Sequence, residues 1–202
     1  MDHFLRINEE SNARDSLGKA NEFLKNIKTD PLYWKWFIMA IHHAIYDFML
    51  LALKNSDLSG IWEEPVRFID NGPNHKYIDI DNPNNKLINF LDAFKLIQKK
   101  EKMSGSISAK PFIANIKHRK AIKKLNGVLR NNFMHFSPKL WSIEILFMIE
   151  TVFPLLEIIE FLVFDSGRFF IEEKRLDEIR SNLDSIRSLF KSYKIDLNKS
   201  QN

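Results

Sequence analysis

Between Pro31 and Lys54 the chain is apolar on most faces of any helix it could form, interrupted chiefly by Lys35, His42, His43 and Asp47. A segment of that kind must be surrounded by other elements, so it predicts the central helix of a bundle. Thr29-Asp30-Pro31 stops the preceding helix and starts this one, with Asp30 as the expected N-cap and Pro31 at the first helical position. Phe37–Leu53 and Trp141–Phe164 are apolar enough to raise the question of a membrane span. The polar residues just named, and Glu144, Glu150, Glu157 and Glu160 in the second stretch, favour buried helices and no membrane. The N-terminal residues lack the basic-then-apolar order of a signal peptide, and a cytoplasmic location is expected.

The same 3.6-residue period recurs along the chain. Leu17, Ala20, Phe23, Leu24 and Ile27 mark a first helix from about Ser11 to Lys28. Leu87, Phe90, Leu91, Phe94 and Ile97 mark a third, ending near Lys102, before the break Ser104-Gly105-Ser106. Ile122, Leu125, Leu129 and Phe133 form the stripe of a helix from about Pro111 to His135. Ser137-Pro138 then reads as a cap and first turn of the next, which runs to about Phe164 with a kink at Pro154. After Asp165-Ser166-Gly167, Leu176, Ile179, Leu183, Ile186 and Phe190 mark a last helix over about 168–195. With only six glycines and seven prolines, there is little material for a turn-rich β fold. The expectation is one all-α domain over 1–202. Its core helices span about 30–165, with additional N- and C-terminal helices.

Asn55 to Asn85 differs. It concentrates Gly60, Pro65, Gly72, Pro73 and Pro83 among Asn and Asp, and reads as a long connection with at most a short turn near Trp62. Asp79-Ile80-Asp81 opens like a calcium loop, but Pro83, Asn84 and Phe90 stand where a ligand, the glycine and the closing glutamate belong. There is no cysteine, which excludes disulfides, thiolate metal sites and a cysteine nucleophile. Gly-rich phosphate loops and the Gly-x-Ser-x-Gly and His-Glu-x-x-His patterns are missing too. Neither a metal nor a cofactor is expected.

Charge is unevenly placed. The whole chain carries only +4, yet Lys99 to Arg130 holds ten Lys or Arg against one acid, Glu101. At about 100° per residue, Lys117, Lys120, Lys124, Asn131 and His135 fall within roughly 60° of each other, opposite the apolar stripe. Lys123 adds to this basic stretch, and all four lysines are candidate RNA contacts. Arg130 lies about 140° from His135 on an ideal helix, so the two need a loosened last turn, or a second copy, to meet at one phosphate. Asn131, at i,i+4 to His135, is expected to orient the imidazole. A histidine that removes a proton near neutral pH and an arginine that grips a phosphate suit attack of a ribose 2′-OH on its own phosphodiester. Equally, the basic arc reads as a solvated helix face. His42 and His118 are expected as buried, hydrogen-bonded histidines, and Trp34, Trp36 and Trp141 as core anchors.

Arg130-Asn131 followed, after three residues, by His135 resembles the Arg-polar-x-x-x-His motif of the HEPN superfamily (higher eukaryotes and prokaryotes nucleotide-binding). Trp34-Lys35-Trp36 with Ala40-Ile41-His42, and Pro138-Lys139-Leu140-Trp141-Ser142-Ile143-Glu144, resemble a bacterial, often plasmid-borne HEPN subgroup. The likeness covers roughly Tyr33 to Phe164. It implies an up-and-down four-helix-bundle core over about 30–165 and a homodimer in which Arg130 and His135 of both subunits meet. It further implies a metal-independent endoribonuclease of toxin–antitoxin, abortive-infection or other defence systems, leaving 2′,3′-cyclic phosphate ends, with an antitoxin protein as a possible partner. The alternative implied is a catalytically inactive helical module that binds RNA, nucleotide or protein. A tyrosine two residues after the histidine, modified in one toxin subgroup, is Ser137 here.

Overall fold

In a computed structural model that describes residues 5–70, 76–103, 108–135 and 140–199, the chain is an all-α helical bundle with one small β-hairpin. The helices are α1 (Glu9–Asn26), α2 (Tyr33–Leu53), α3 (Phe90–Leu96), α4 (Ile116–Lys124), α5 (Asn131–Met134), α6 (Ile145–Glu160) and α7 (Glu173–Lys199). Leu125–Arg130 joins α4 to α5 as a π-helix, and Phe161–Asp165 extends α6 in the same way.

α2 lies at the centre, packed against α1, α3, α6 and the first π-helix. Phe37, Ile38, Ile41, Ile45, Phe48, Met49 and Leu53 are fully buried, as a helix apolar on most faces requires. α2 is long and apolar enough to cross a membrane by length and composition, and 67% of that window is buried within the bundle. The terminal helices belong to the same continuous core: Ala13, Leu17 and Leu24 of α1 and Ile179, Leu183, Ile186 and Phe190 of α7 join it. Phe190 meets Phe37 edge-on at 5.7 Å between ring centres.

Several boundaries differ from the periodicity, each for a local reason. α1 begins at Glu9 because Asn8 and Ser11 form a reciprocal cap. Asp30 does not cap α2. Its Oδ1 accepts from the Leu32 N–H in a turn that holds Pro31 and Leu32 outside the helix, which starts at Tyr33. α4 starts at Ile116, not near Pro111, because the Phe112 N–H donates to the Ile97 carbonyl (2.8 Å) and Asn115 then caps the helix. α6 starts at Ile145, after an extended Glu144. The cap expected at Ser137-Pro138 and the break at Ser104-Gly105-Ser106 lie outside the described residues. At the far end of α2, Arg168 donates to the Ala52 carbonyl (2.6 Å) and the Lys54 carbonyl (2.9 Å). Those are among the acceptors that a helix C-terminus leaves without partners.

The described parts of the 55–85 connection, 55–70 and 76–85, hold more structure than expected. β1 (Phe68–Asp70) pairs antiparallel with β2 (Lys76–Ile78), Phe68 opposite Ile78, and Trp62 bridges to Leu87. Asn85 ties the hairpin base, donating to the carbonyls of Arg67 and Asp79 at 3.0 and 2.7 Å. The connection is anchored to α2 at Gly60, whose φ is +91° and where an added Cβ would stand 2.3 Å from the Leu53 carbonyl oxygen. Gly60→Ala therefore combines left-handed strain with a backbone clash. It is expected to cost about 2 kcal/mol or more, lowering the melting temperature by roughly 4–8 °C. Thermal denaturation checks this; an unchanged midpoint would mean that the connection can peel away from α2 without loss.

Candidate active site

α4 is fixed at its start by a reciprocal cap. The Asn115 side chain accepts from the N–H groups of Lys117 (2.8 Å) and His118 (3.0 Å), while the Asn115 N–H donates to His118 Nδ1 (3.2 Å). Because Nδ1 accepts, the proton of the neutral ring sits on Nε2, which donates to Glu157 of α6 at 2.8 Å. His118 is thus the buried, bonded histidine expected.

The π-helix between α4 and α5 changes the geometry of every residue after it. A π turn takes up an extra residue, which sets back the phase of the next turns by about 100°. Lys117, Lys120 and Lys124 therefore stay together, lining one cleft against α6 and α7, while Asn131 and His135 rotate off that face. The single arc of lysines, Asn131 and His135 expected from an unbroken helix does not form. Lys123 is separated as well, opening with Arg119 onto a groove beside Leu91 and Phe94 of α3.

Asn126, the second residue of the π-helix, faces α2, where its Oδ1 lies 3.2 Å from His42 Nε2. His42 is 6% exposed and stacks on Phe90 at 4.3 Å between ring centres. Burial pulls its pKa down to about 4; the bond to Asn126 opposes this, and the charges of His43 and Arg130 add to it. His42 is therefore neutral near pH 7, and its Nδ1 has no hydrogen-bond partner among the described residues. The Arg130 guanidinium is close enough to act on it. His43, its exposed neighbour, does not hold Asp47, whose carboxylate instead accepts from Asn12 at 2.6 Å.

Arg130 closes the π-helix half-buried, and its Nη1 donates to Asn131 Oδ1 at 3.0 Å. Asn131 thus braces the arginine instead of the imidazole, correcting the role expected for it. His135 is exposed and ends α5: its N–H donates to the Asn131 carbonyl at 2.9 Å, and its own backbone leaves the helix (φ −112°, ψ 80°). Phe133, two residues earlier, packs edge-on against Trp141 at 4.9 Å.

Of the three expected core tryptophans, Trp34 is buried and Trp141 is packed on Phe133, but Trp36 is 50% exposed. Lys35 Nζ sits 4.8 Å from its ring centre, and the ring lines a groove of about 440 Å³ with Met39, His43, Phe133 and Met134. Ser137, the position two after the histidine, lies outside the described residues. Among the described residues no group of three or more His, Cys, Asp and Glu could hold a metal ion. Comparison of the chain with protein-family models, with curated proteins and with solved structures gives no match.

Proposed function

We propose that the chain is a metal-independent endoribonuclease of HEPN type, acting as a homodimer in the cytoplasm in a toxin or defence role. The observation that carries the reading is His135, solvent-exposed at the end of a helix five residues beyond a braced Arg130. In the reaction the imidazole of His135 takes the proton of a ribose 2′-OH. The freed O2′ forms a bond to phosphorus, the bond to O5′ breaks, and O5′ takes a proton from solvent water as it leaves, while the imidazolium returns its own to solvent. Arg130 holds the non-bridging oxygens as their charge grows. The products are a 2′,3′-cyclic phosphate and a 5′-hydroxyl. Loss of Asn131 as a partner for His135 is no obstacle, because bracing Arg130 pre-sets the phosphate-binding group.

The test incubates wild type, Arg130→Ala and His135→Ala with single-stranded RNA in EDTA. Wild type alone is expected to cut, leaving cyclic-phosphate ends and sparing 2′-deoxy positions, and to run as a dimer in light scattering. Cutting by both variants, or none by folded wild type over many RNAs, would remove the proposal; a persistent monomer would remove a cleft shared between subunits. The alternative reading, a catalytically inactive module that binds RNA, nucleotide or protein, draws on one observation. The lysine face lies about 100° away from His135, so the cluster of Lys117, Lys120 and Lys124 is not at the histidine.

A further inference from the structure

The cleft between α4, α6 and α7 has a volume of about 470 Å³ and is lined by Lys117, Lys120, Lys124 and Lys194, with Glu150, Glu157 and Thr151. Among the described residues none of these four lysines has a carboxylate within 4 Å. Glu157, which could serve one of them, is held by His118 instead. Lys124 Nζ rests 4.5 Å from the centre of the Phe147 ring. Like charges converging on a concave surface repel one another and raise the local concentration of anions.

The floor carries an independent sign. Thr151 is 1% exposed, lines the cleft, and its Oγ1 has no hydrogen-bond partner among the described residues. Buried hydroxyls are nearly always bonded, and a helical threonine ordinarily satisfies itself on its own backbone. Three residues on, Pro154 sits inside α6. Having no N–H, it leaves the Glu150 carbonyl without its helical donor. The cleft thus offers four ammonium groups for an anion, beside the Thr151 hydroxyl and the Glu150 side chain, both able to accept from donors on the same ligand. Phosphate and ribose hydroxyls together meet that description, and the volume falls within the ordinary range for small-ligand sites.

We infer that this cleft binds the phosphate of a ribonucleotide, at a place separate from Arg130 and His135. The inference does not rest on the nuclease reading, because the π-helix turns the cleft away from His135. Lysines supply the charge that holds the phosphate, and Thr151 and the Glu150 side chain fix the ribose beside it.

The experiment uses the full chain carrying His135→Ala, so that RNA stays intact whether or not the wild type cuts it. Inorganic phosphate, AMP, a ten-residue oligoribonucleotide and its deoxy counterpart are titrated calorimetrically. The ribonucleotide probes are expected to bind saturably and more tightly than phosphate. Binding by AMP identifies a free nucleotide as the ligand; binding by the oligomer alone identifies a strand. Lys120→Glu with Lys194→Glu should weaken that binding at least tenfold, while Lys25→Glu, at an exposed position of α1, should change it less than twofold. Thr151→Val keeps the shape of the side chain and should weaken binding severalfold without lowering the melting temperature, as removal of an unbonded hydroxyl predicts. Equal losses in Lys25→Glu and the double variant would reduce the effect to bulk charge and overturn the site. So would AMP and the oligomer binding no better than phosphate, or an affinity untouched by both the double variant and Thr151→Val.

Discussion

His135→Ala is expected to slow RNA cleavage by about 10²–10⁴-fold, the range that a positioned general base supplies. Arg130→Ala is expected to cost about 10²–10³-fold, as removal of a group that stabilises charge on the transferring phosphate does. If the two act on one phosphate in one step, the double variant should be little worse than the slower single one, because residues that work as a unit are not additive. Arg130→Lys separates charge from shape. Lysine keeps the charge but loses the planar fork, and with it the bond to Asn131, so an intermediate rate is expected. Since His135 stands exposed at a helix end, added imidazole can reach its place and should restore part of the activity of His135→Ala but none of Arg130→Ala. That pattern distinguishes a missing base from a damaged fold. Rates are best measured with a single cleavable ribonucleotide in a deoxy strand, which confines the chemistry to one 2′-OH. Unchanged rates in both single variants would mean that the nucleophile is activated elsewhere.

How much of this arrangement is legible in the sequence depends on whether a feature is local. The stripe from Leu176 to Phe190 is one face of a regular helix, and its buried members Ile179, Leu183, Ile186 and Phe190 pack as the period requires. The same reasoning puts Ile122, Leu125 and Leu129 inside, correctly. It fails where a distant partner decides the backbone. Nothing in Leu-Asn-Gly-Val-Leu-Arg signals a π turn, and the partner of Asn126 is His42, 84 residues earlier. Every angle drawn from α4 to His135 inherits that error, which is why an unbroken helix puts the lysines and the histidine together. The hairpin is hidden because three-residue strands are too short to show alternation. Asn115 has the side chain of a cap, but a box closed by histidine lacks the usual Glu or Gln signal. Thr151 and Lys194 carry no local mark at all. They matter only once α6 and α7 are folded against α4.

Acidification should expose an opposition built into α2. His42 has its pKa drawn from 6.5 to about 4 by burial, so between those values the unfolded chain binds the extra proton and stability falls as pH is lowered. A shift of that size corresponds to about 3 kcal/mol lost between pH 6.5 and 4. Asp47, one and a half turns further along, is shifted the opposite way. Burial raises its pKa from 3.8 to about 6, against the bond from Asn12, with Glu9 adding to the rise. Here the folded chain binds the extra proton, so stability increases as pH falls through the same range. Its partial exposure screens the effect, to about 1–2 kcal/mol. The two contributions overlap, and the wild type should lose only about 1–2 kcal/mol from this pair across the interval. Asp47→Asn removes the compensation and should steepen the fall to about 3 kcal/mol, a drop in melting temperature of roughly 6–12 °C between pH 6.5 and 4. His42→Gln removes the other side, leaving a chain whose stability changes little or rises as pH falls to 4. Each variant is compared with itself at the two pH values, so any constant cost of substitution cancels. Melting curves of wild type and both variants that run parallel would show that neither group is held away from its ordinary proton affinity. They would also remove the reason for Arg130 to lie beside a neutral, and not a charged, histidine.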